Sequence, residues 1–153
     1  MAFQLKTTAF KEGGTIPKTY TCSGQDMSPA LQWDDPPAKT QTFALIADDP
    51  DAPNGTWVHW VIYNMPASQR RLDEGIKPEE TLPGGASQGV NDFKKVGYGG
   101  PCPPPGKPHR YYFKLYALDA PLKLKPRATK EQVMEALKPH LLGESQLMGT
   151  FAR

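Results

Sequence analysis

Two histidines occupy matching contexts in the sequence, and each follows a turn rich in proline. His59 follows "DDPDAPNG", and His109 follows "GPCPPPGKP". Trp57 lies two residues before His59, and Tyr111 lies two residues after His109. Imidazolium and phenol groups donate hydrogen bonds, as do the backbone N–H groups near the second turn, at Tyr98, Gly99 and Gly100. These donors suit an anion, especially a phosphate or a carboxylate.

The first turn adds two carboxylates, Asp49 and Asp51. A carboxylate beside an imidazole orients the ring and favours its charged form. We therefore expect Asp49 to orient His59 or His109 if the starts of the two strands meet. Such a pocket would hold two imidazoles, a phenol, an indole wall and one or two carboxylates, within a rim made stiff by the prolines.

The two histidine segments read as strands, in which alternate side chains point to the same side. This alternation predicts one face of residues 57, 59, 61 and 63, and another of residues 109, 111, 113 and 115. Strands are expected over 3–10, 30–33, 42–49, 56–65, 109–119 and 145–151, with 42–49 as a buried central strand. Residues 66–108 are predicted to be largely loop, and a loop of that length is usually functional.

One helix is expected over residues 129–138. Thr129 and Gln132 have the spacing of a capping box, and Pro139 would end or kink the helix near Lys138. Gly143 is a plausible stop. The apolar face that should pack on a sheet consists of Met134, Leu137 and Leu141.

The composition limits the classes of function. A chain of 153 residues most simply forms one domain, here residues 1–153. A formal net charge of +2 gives no reason to expect nucleic-acid binding. The sequence has no apolar run of transmembrane length and no recognisable signal peptide, so we expect a cytoplasmic protein without integral membrane association.

Cys22 and Cys102 are too few for a disulfide scaffold. They are either two buried thiols, as in most cytosolic proteins, or a single bridge. A bridge would close a loop of roughly 80 residues and would stabilise the fold by about 4 kcal/mol in the chain-entropy model. The sequence leaves both states open.

Two catalytic alternatives use the same residues. Asp49, His59 and His109 could supply three ligands to zinc, although no short ligand spacing supports such a site. Cys102 with His109 and Asp49 could form a nucleophilic triad. Either arrangement would make the protein a hydrolase, and this remains the alternative to a binding protein.

Taken together, three stretches carry a family resemblance: "DDPDAP" (48–53), "TWVHW" (56–60) and "GYGGPCPPPGKPHRYYF" (97–113). In order and spacing they resemble the phosphatidylethanolamine-binding protein family, also called the Raf kinase inhibitor protein family. "SPAL.W" near 28–33 and the ending "QLMGTFAR" look like its bacterial and archaeal branch.

The resemblance implies a mainly β fold, an antiparallel β-sandwich with one or two peripheral helices, and a small pocket for phosphate-like head groups. The residues that match the family's pocket are Asp49, Trp57, His59, His109 and Tyr111. Asp51 matches the second acid of the motif, and Gly100 and Pro101 lie where the pocket-lining loop runs. Cys22 and Cys102 are often present in this branch.

The function expected from the residues and the resemblance is non-enzymatic. The chain would bind a small anion or a phosphoryl head group without a cofactor. The resemblance also implies inhibition of a protein kinase or a protease, or another signalling role. Whether the protein forms a homodimer is left open.

Overall fold

The computed structural model describes residues 2–153 and contains eight β-strands and one α-helix within them. The strands are β1 (Gln4–Lys6), β2 (Leu31–Asp34), β3 (Thr42–Asp49), β4 (Trp57–Pro66), β5 (Arg71–Leu72), β6 (Ser87–Gln88), β7 (His109–Leu118) and β8 (Leu141–Phe151). The helix is α1 (Lys130–Leu137), and two short 3₁₀ helices span Lys18–Tyr20 and Lys138–His140.

The strands form an antiparallel β-sandwich, as expected. One sheet has the strand order β6-β4-β3-β7-β8, and the other has the order β1-β2-β5. Apolar side chains from both sheets make one core between them, where the Trp33 and Phe43 rings meet at 5.5 Å. A second apolar layer lies on the other face of the larger sheet, under α1.

Strand β3 is the buried central strand that its apolar sequence predicts. All eight of its residues are buried, because the smaller sheet covers one face and α1 covers the other. Ala44 and Ile46 pack in the same layer as Val133 and Leu137 of the helix. A strand covered on both faces has no need for alternating polar residues.

The helix begins as predicted. Thr129 accepts from the backbone N–H of Gln132, and the Gln132 side chain accepts from the backbone N–H of Thr129. The helix ends at Leu137, and Pro139 lies in the 3₁₀ turn that follows. The expected roles of Leu141 and Gly143 are wrong, because both belong to β8, where they pair with β7.

The predicted strand boundaries need three further corrections. The first strand covers only Gln4–Lys6, because the Thr7 hydroxyl accepts from the backbone N–H of Ala9 and turns the chain. The last strand begins earlier than expected, at Leu141. The long loop contains two short strands, β5 and β6, each of two residues.

Strand β4 breaks the alternation that its sequence predicts. Ala47 lies opposite Trp60 while Asp48 lies opposite Val58, so His59 is an extra residue on β4. Such a bulge places consecutive residues on the same side of the sheet. The prediction that residues 61 and 63 share a face with His59 is therefore wrong, and both pack under the helix instead.

Candidate functional site

The starts of β4 and β7 meet because β3 lies between them in the sheet. Asp49, the last residue of β3, pairs with Trp57 at the beginning of β4. On the other side of β3, its neighbour Asp48 pairs with Tyr112 near the beginning of β7. Antiparallel pairing thus brings the two histidine segments and the acidic turn to the same end of the sheet.

A cavity of about 190 Å³ opens at this end of the sheet. Five of the predicted site residues line it, namely Asp49, Trp57, His59, His109 and Tyr111. The other lining residues are Ala52, Pro53, Phe93, Cys102, Pro103 and Pro104. The cavity therefore has a polar floor and a rim that is mostly apolar and rich in proline.

His109 is oriented by Asp49. Its Nδ1 lies 2.7 Å from Oδ2 of Asp49, whose side chain is only 4% exposed. The second carboxylate oxygen, Oδ1, accepts from the backbone N–H of Asp51 at 2.7 Å. Because Asp49 occupies Nδ1, the other ring nitrogen of His109, Nε2, is left for a ligand in the cavity.

His59 has a different partner. Its Nδ1 lies 2.6 Å from the carbonyl oxygen of Gly99, and a carbonyl can only accept, so Nδ1 carries the hydrogen. Burial lowers the pKa of His59, and this effect outweighs the Gly99 hydrogen bond and the negative charge of Asp49, which both act to raise it. His59 is therefore a neutral imidazole with a lone pair on Nε2, and Asp49 orients His109 and not His59.

Tyr111 lies between the two histidines. Its ring centre is 5.3 Å from that of His59 and 6.4 Å from that of His109. Its hydroxyl oxygen is buried and has no hydrogen-bond partner among residues 2–153. Burial raises the pKa of Tyr111, so the hydroxyl keeps its hydrogen and can donate it.

The mouth of the cavity is aromatic. Trp57 is 38% exposed, which is unusual for an indole ring. It packs edge to face against Phe93 at 5.4 Å, and Phe93 also contacts the His59 ring at 5.5 Å. Sequence reasoning missed Phe93, and the only signal for it is its place in the long predicted loop.

Asp51 does not line the cavity. Its carboxylate accepts from Nε and Nη2 of Arg110, at 2.9 and 2.8 Å, and from the backbone N–H of Arg110. The hydrogen bond to Arg110 is the main reason that the pKa of Asp51 falls to about 2. Through these hydrogen bonds, Asp51 connects the acidic turn to the start of β7.

Gly100 and Pro101 also lie outside the cavity lining. The N–H of Gly100 donates to Asp26 at 2.8 Å, and the N–H of Gly99 donates to the His59 carbonyl at 2.9 Å. These two predicted anion donors are already bonded within the protein. A Cβ at Gly100 would lie 2.4 Å from Asp26 Oδ1, so this close packing requires glycine.

The two cysteines form a bridge. The S–S distance between Cys22 and Cys102 is 2.10 Å, and the backbone N–H of Cys22 donates to the Pro101 carbonyl at 3.0 Å. The bridge fixes the segment that supplies both the Gly99 acceptor and part of the cavity rim. It also occupies the sulfur of Cys102, so the arrangement with His109 and Asp49 has no thiol nucleophile.

The structure gives no further support to the zinc alternative. Among residues 2–153, no group of three or more His, Cys, Asp and Glu side chains is arranged to hold a metal ion.

In the same part of the chain, no helix is both long enough and apolar enough to cross a membrane.

Comparisons with known proteins agree on one family. The model of the phosphatidylethanolamine-binding protein family matches residues 6–152. The UPF0098 protein of Methanothermobacter thermautotrophicus is 51% identical over 149 residues, which are 97% of this chain and 98% of that protein.

Two solved structures share the fold over nearly the whole chain. A Chlamydia trachomatis protein, described as a homologue of phosphatidylethanolamine-binding protein, has a TM-score of 0.90 and 40% identity, covering 99% of this chain and 98% of that one. Escherichia coli YbcL has a TM-score of 0.93 and 32% identity, covering 100% and 99%. The chain therefore belongs to the phosphatidylethanolamine-binding protein family, in its bacterial and archaeal branch.

Proposed function

We propose that the protein is a non-enzymatic binding protein whose cavity takes a small oxyanion, namely phosphate or a phosphoryl group. The observation that carries this proposal is Tyr111, which lines the cavity and whose buried hydroxyl has no hydrogen-bond partner among residues 2–153. A buried hydroxyl left unpaired costs about 1–3 kcal/mol. A ligand oxygen that accepts from Tyr111 would offset this cost.

The second polar group of the cavity supports the same ligand. His109 is held by Asp49 with Nε2 available, and in its charged form it donates from Nε2 to an anion. The rings of Tyr111 and His109 are nearly parallel, with centres 6.4 Å apart, and both residues line the cavity. The rim residues Pro103 and Pro104 are restricted in φ, so little conformational entropy is lost on binding.

The absence of enzymatic activity is part of this proposal. The triad alternative is weakened because Cys102 is in a disulfide. Hydrolysis of a panel of phosphoesters and carboxylic esters, with and without a chelator, tests the hydrolase alternative. Turnover by the wild type that is lost in His109→Ala would contradict a pure binding role.

The predicted location and partners remain predictions. Disulfides are rare in the cytosol of mesophiles but occur in the cytosol of hyperthermophiles, so the Cys22–Cys102 bridge weakens the cytoplasmic expectation for a mesophile. Inhibition of a protein kinase or a protease is tested by inhibition assays with wild type and His109→Ala. Oligomeric state is measured by analytical ultracentrifugation.

Titration calorimetry with inorganic phosphate tests the proposal directly. His109→Ala should weaken binding by about 1–3 kcal/mol, the scale of a charge-assisted hydrogen bond. His140→Ala is the matched control, because His140 also has Nδ1 on a carboxylate, 2.9 Å from Asp119, but lies outside the cavity. Equal phosphate affinity in wild type and His109→Ala would contradict the proposal.

A further inference from the structure

Resting on the proposed oxyanion function, we propose that the cavity selects a phosphate that carries a proton. One P–OH group would donate to Nε2 of His59, while Tyr111 and His109 donate to the other oxygens. The ligand class is therefore inorganic phosphate or a phosphomonoester in its monoanionic form. A phosphodiester, such as the head group of a membrane phospholipid, has no P–OH and would be disfavoured.

The first step in this inference is that the tautomer of His59 is fixed. Nδ1 must donate, because its partner is the carbonyl oxygen of Gly99 at 2.6 Å. Gly99 cannot turn away easily, since its own N–H donates to the His59 carbonyl at 2.9 Å. The N–H of the next residue, Gly100, donates to Asp26, and the Cys22–Cys102 disulfide restrains the same segment two residues further on. Nε2 of the neutral ring is therefore a hydrogen-bond acceptor.

The second step is that His59 stays neutral at its position. It is 5% exposed, and two aromatic rings, Phe93 and Tyr111, contact its ring. Burial is the dominant influence on its pKa and lowers it. The titratable groups that line the cavity with His59 or act on its pKa are Asp26, Asp48, Asp49, His109 and Tyr111, and the carboxylates act in the opposite direction without reversing the shift.

The third step concerns the ligand. The lone pair on Nε2 of His59 has no hydrogen-bond partner among residues 2–153, and the ring lines the cavity. A fully deprotonated oxygen placed against that lone pair would be repelled, and neither group would gain a hydrogen bond. A hydroxyl on phosphorus removes this conflict, because it donates to Nε2. The cavity then matches one donor and two acceptors on the same tetrahedral group.

Titration calorimetry with phosphate and sulfate separates this inference from the proposed function. Sulfate has nearly the same shape as phosphate but carries no proton at neutral pH. Wild-type protein should bind phosphate about tenfold or more tightly than sulfate, the consequence of one unsatisfied polar contact.

Esters of phosphate distinguish the sources of the ligand. From about pH 5 to about pH 8, O-phosphoethanolamine should lose affinity relative to inorganic phosphate, since a phosphomonoester loses its last proton near pH 6. The diesters glycerophosphoethanolamine and glycerophosphocholine should both bind weakly. Tight binding of the ethanolamine diester alone would overturn the inference, because its ammonium group would then supply the donor to His59.

Two variants locate the selectivity within the cavity. Tyr111→Phe should weaken phosphate and sulfate equally and leave their ratio unchanged. His59→Phe should bring the ratio towards one, with folding checked by thermal melting. An unchanged ratio in folded His59→Phe would overturn the inference, and if that variant does not fold, the wild-type ratio decides.

The wild-type results distinguish the two proposals. Equal affinity of the wild type for phosphate and sulfate would show that His59 does not distinguish an oxyanion that carries a proton from one that does not. That result would overturn the inference and leave the oxyanion function intact. Failure of every anion to bind would overturn both.

Discussion

The starts of β4 and β7 have similar local sequences but place their histidines in different chemical environments. Each histidine follows a proline-rich turn and lies two residues from an aromatic ring. His59 is 5% exposed and donates to a backbone carbonyl. The side chain of His109 is 13% exposed and donates to the carboxylate of Asp49.

This difference shows that residue type and spacing bring two rings together without defining what each ring can do. The partner of Nδ1 decides whether Nε2 faces the ligand as an acceptor or can become a charged donor. For His59 that partner comes from a loop 40 residues away, at Gly99. For His109 it comes from the neighbouring strand, through Asp49.

The largest expected effect on the free energy of unfolding comes from removing the Cys22–Cys102 disulfide, which holds the segment that bonds to His59. In the double variant Cys22→Ala/Cys102→Ala, the free energy of unfolding should fall by about 3–5 kcal/mol, because the bridge closes a long loop. Urea denaturation measures this change. Wild type in a strong reductant serves as the control and should behave like the variant, and a loss below about 1 kcal/mol would contradict the prediction.

Two Tyr→Phe variants test the hydroxyl between the histidines. Tyr111→Phe should leave stability unchanged or raise it by up to about 1 kcal/mol, because it removes a buried hydroxyl that has no partner among residues 2–153. Tyr63→Phe is the control and should lose about 1–2 kcal/mol, since its hydroxyl donates to Lys125 and accepts from Ala128. Phosphate affinity should fall in Tyr111→Phe alone, and a marked loss of stability in that variant would contradict the unpaired state.

The charge of His59 can be measured by NMR titration of its ring. Its midpoint should lie below the ordinary value of 6.5, because burial disfavours the charged form. As pH falls below 6.5, the unfolded state takes up a proton before the folded state does, so stability decreases. His59→Phe should lose this part of the pH dependence, and a midpoint at or above 6.5 would contradict the neutral assignment.

The smallest expected effect on stability is that of Asp51, which bonds to Arg110, the residue after His109. Its pKa is about 2 when folded and near 3.8 ordinarily, so its contribution to stability is present above pH 3.8 and is lost as pH falls towards 2. Asp51→Asn should be slightly less stable than wild type at neutral pH. This difference should disappear near pH 2, and it should stay small because the Arg110 pair is exposed to solvent.

The sequence is sufficient to predict the strands that carry the site. β3 is an apolar run, and β4 and β7 are rich in aromatic and β-branched residues. That β3 pairs with both of them is known only from the structure. The sequence does not reveal the acceptor at Gly99 or the aromatic wall at Phe93. Both lie in irregular backbone, where the sequence has no helix or strand periodicity from which the direction of a group could be predicted.

Two other features depend on the resemblance and the tertiary structure. Asp51 matched the family motif, but its engagement with Arg110 depends on how the turn folds back on β7. The bulge at His59 has no signature in "TWVHW", since histidine and tryptophan fit either face of a strand. Only the register against β3 shows the extra residue.

The bulge also has a consequence for anyone who transfers this site to another protein. A regular strand carrying the same letters would place His59 and Trp60 on opposite sides of the sheet, so the imidazole and the neighbouring core indole could not both face inward. Pairing the same residues without the bulge would therefore move the side chains on one side of it to the opposite face of the sheet. A grafted version needs the bulge as much as it needs the histidine.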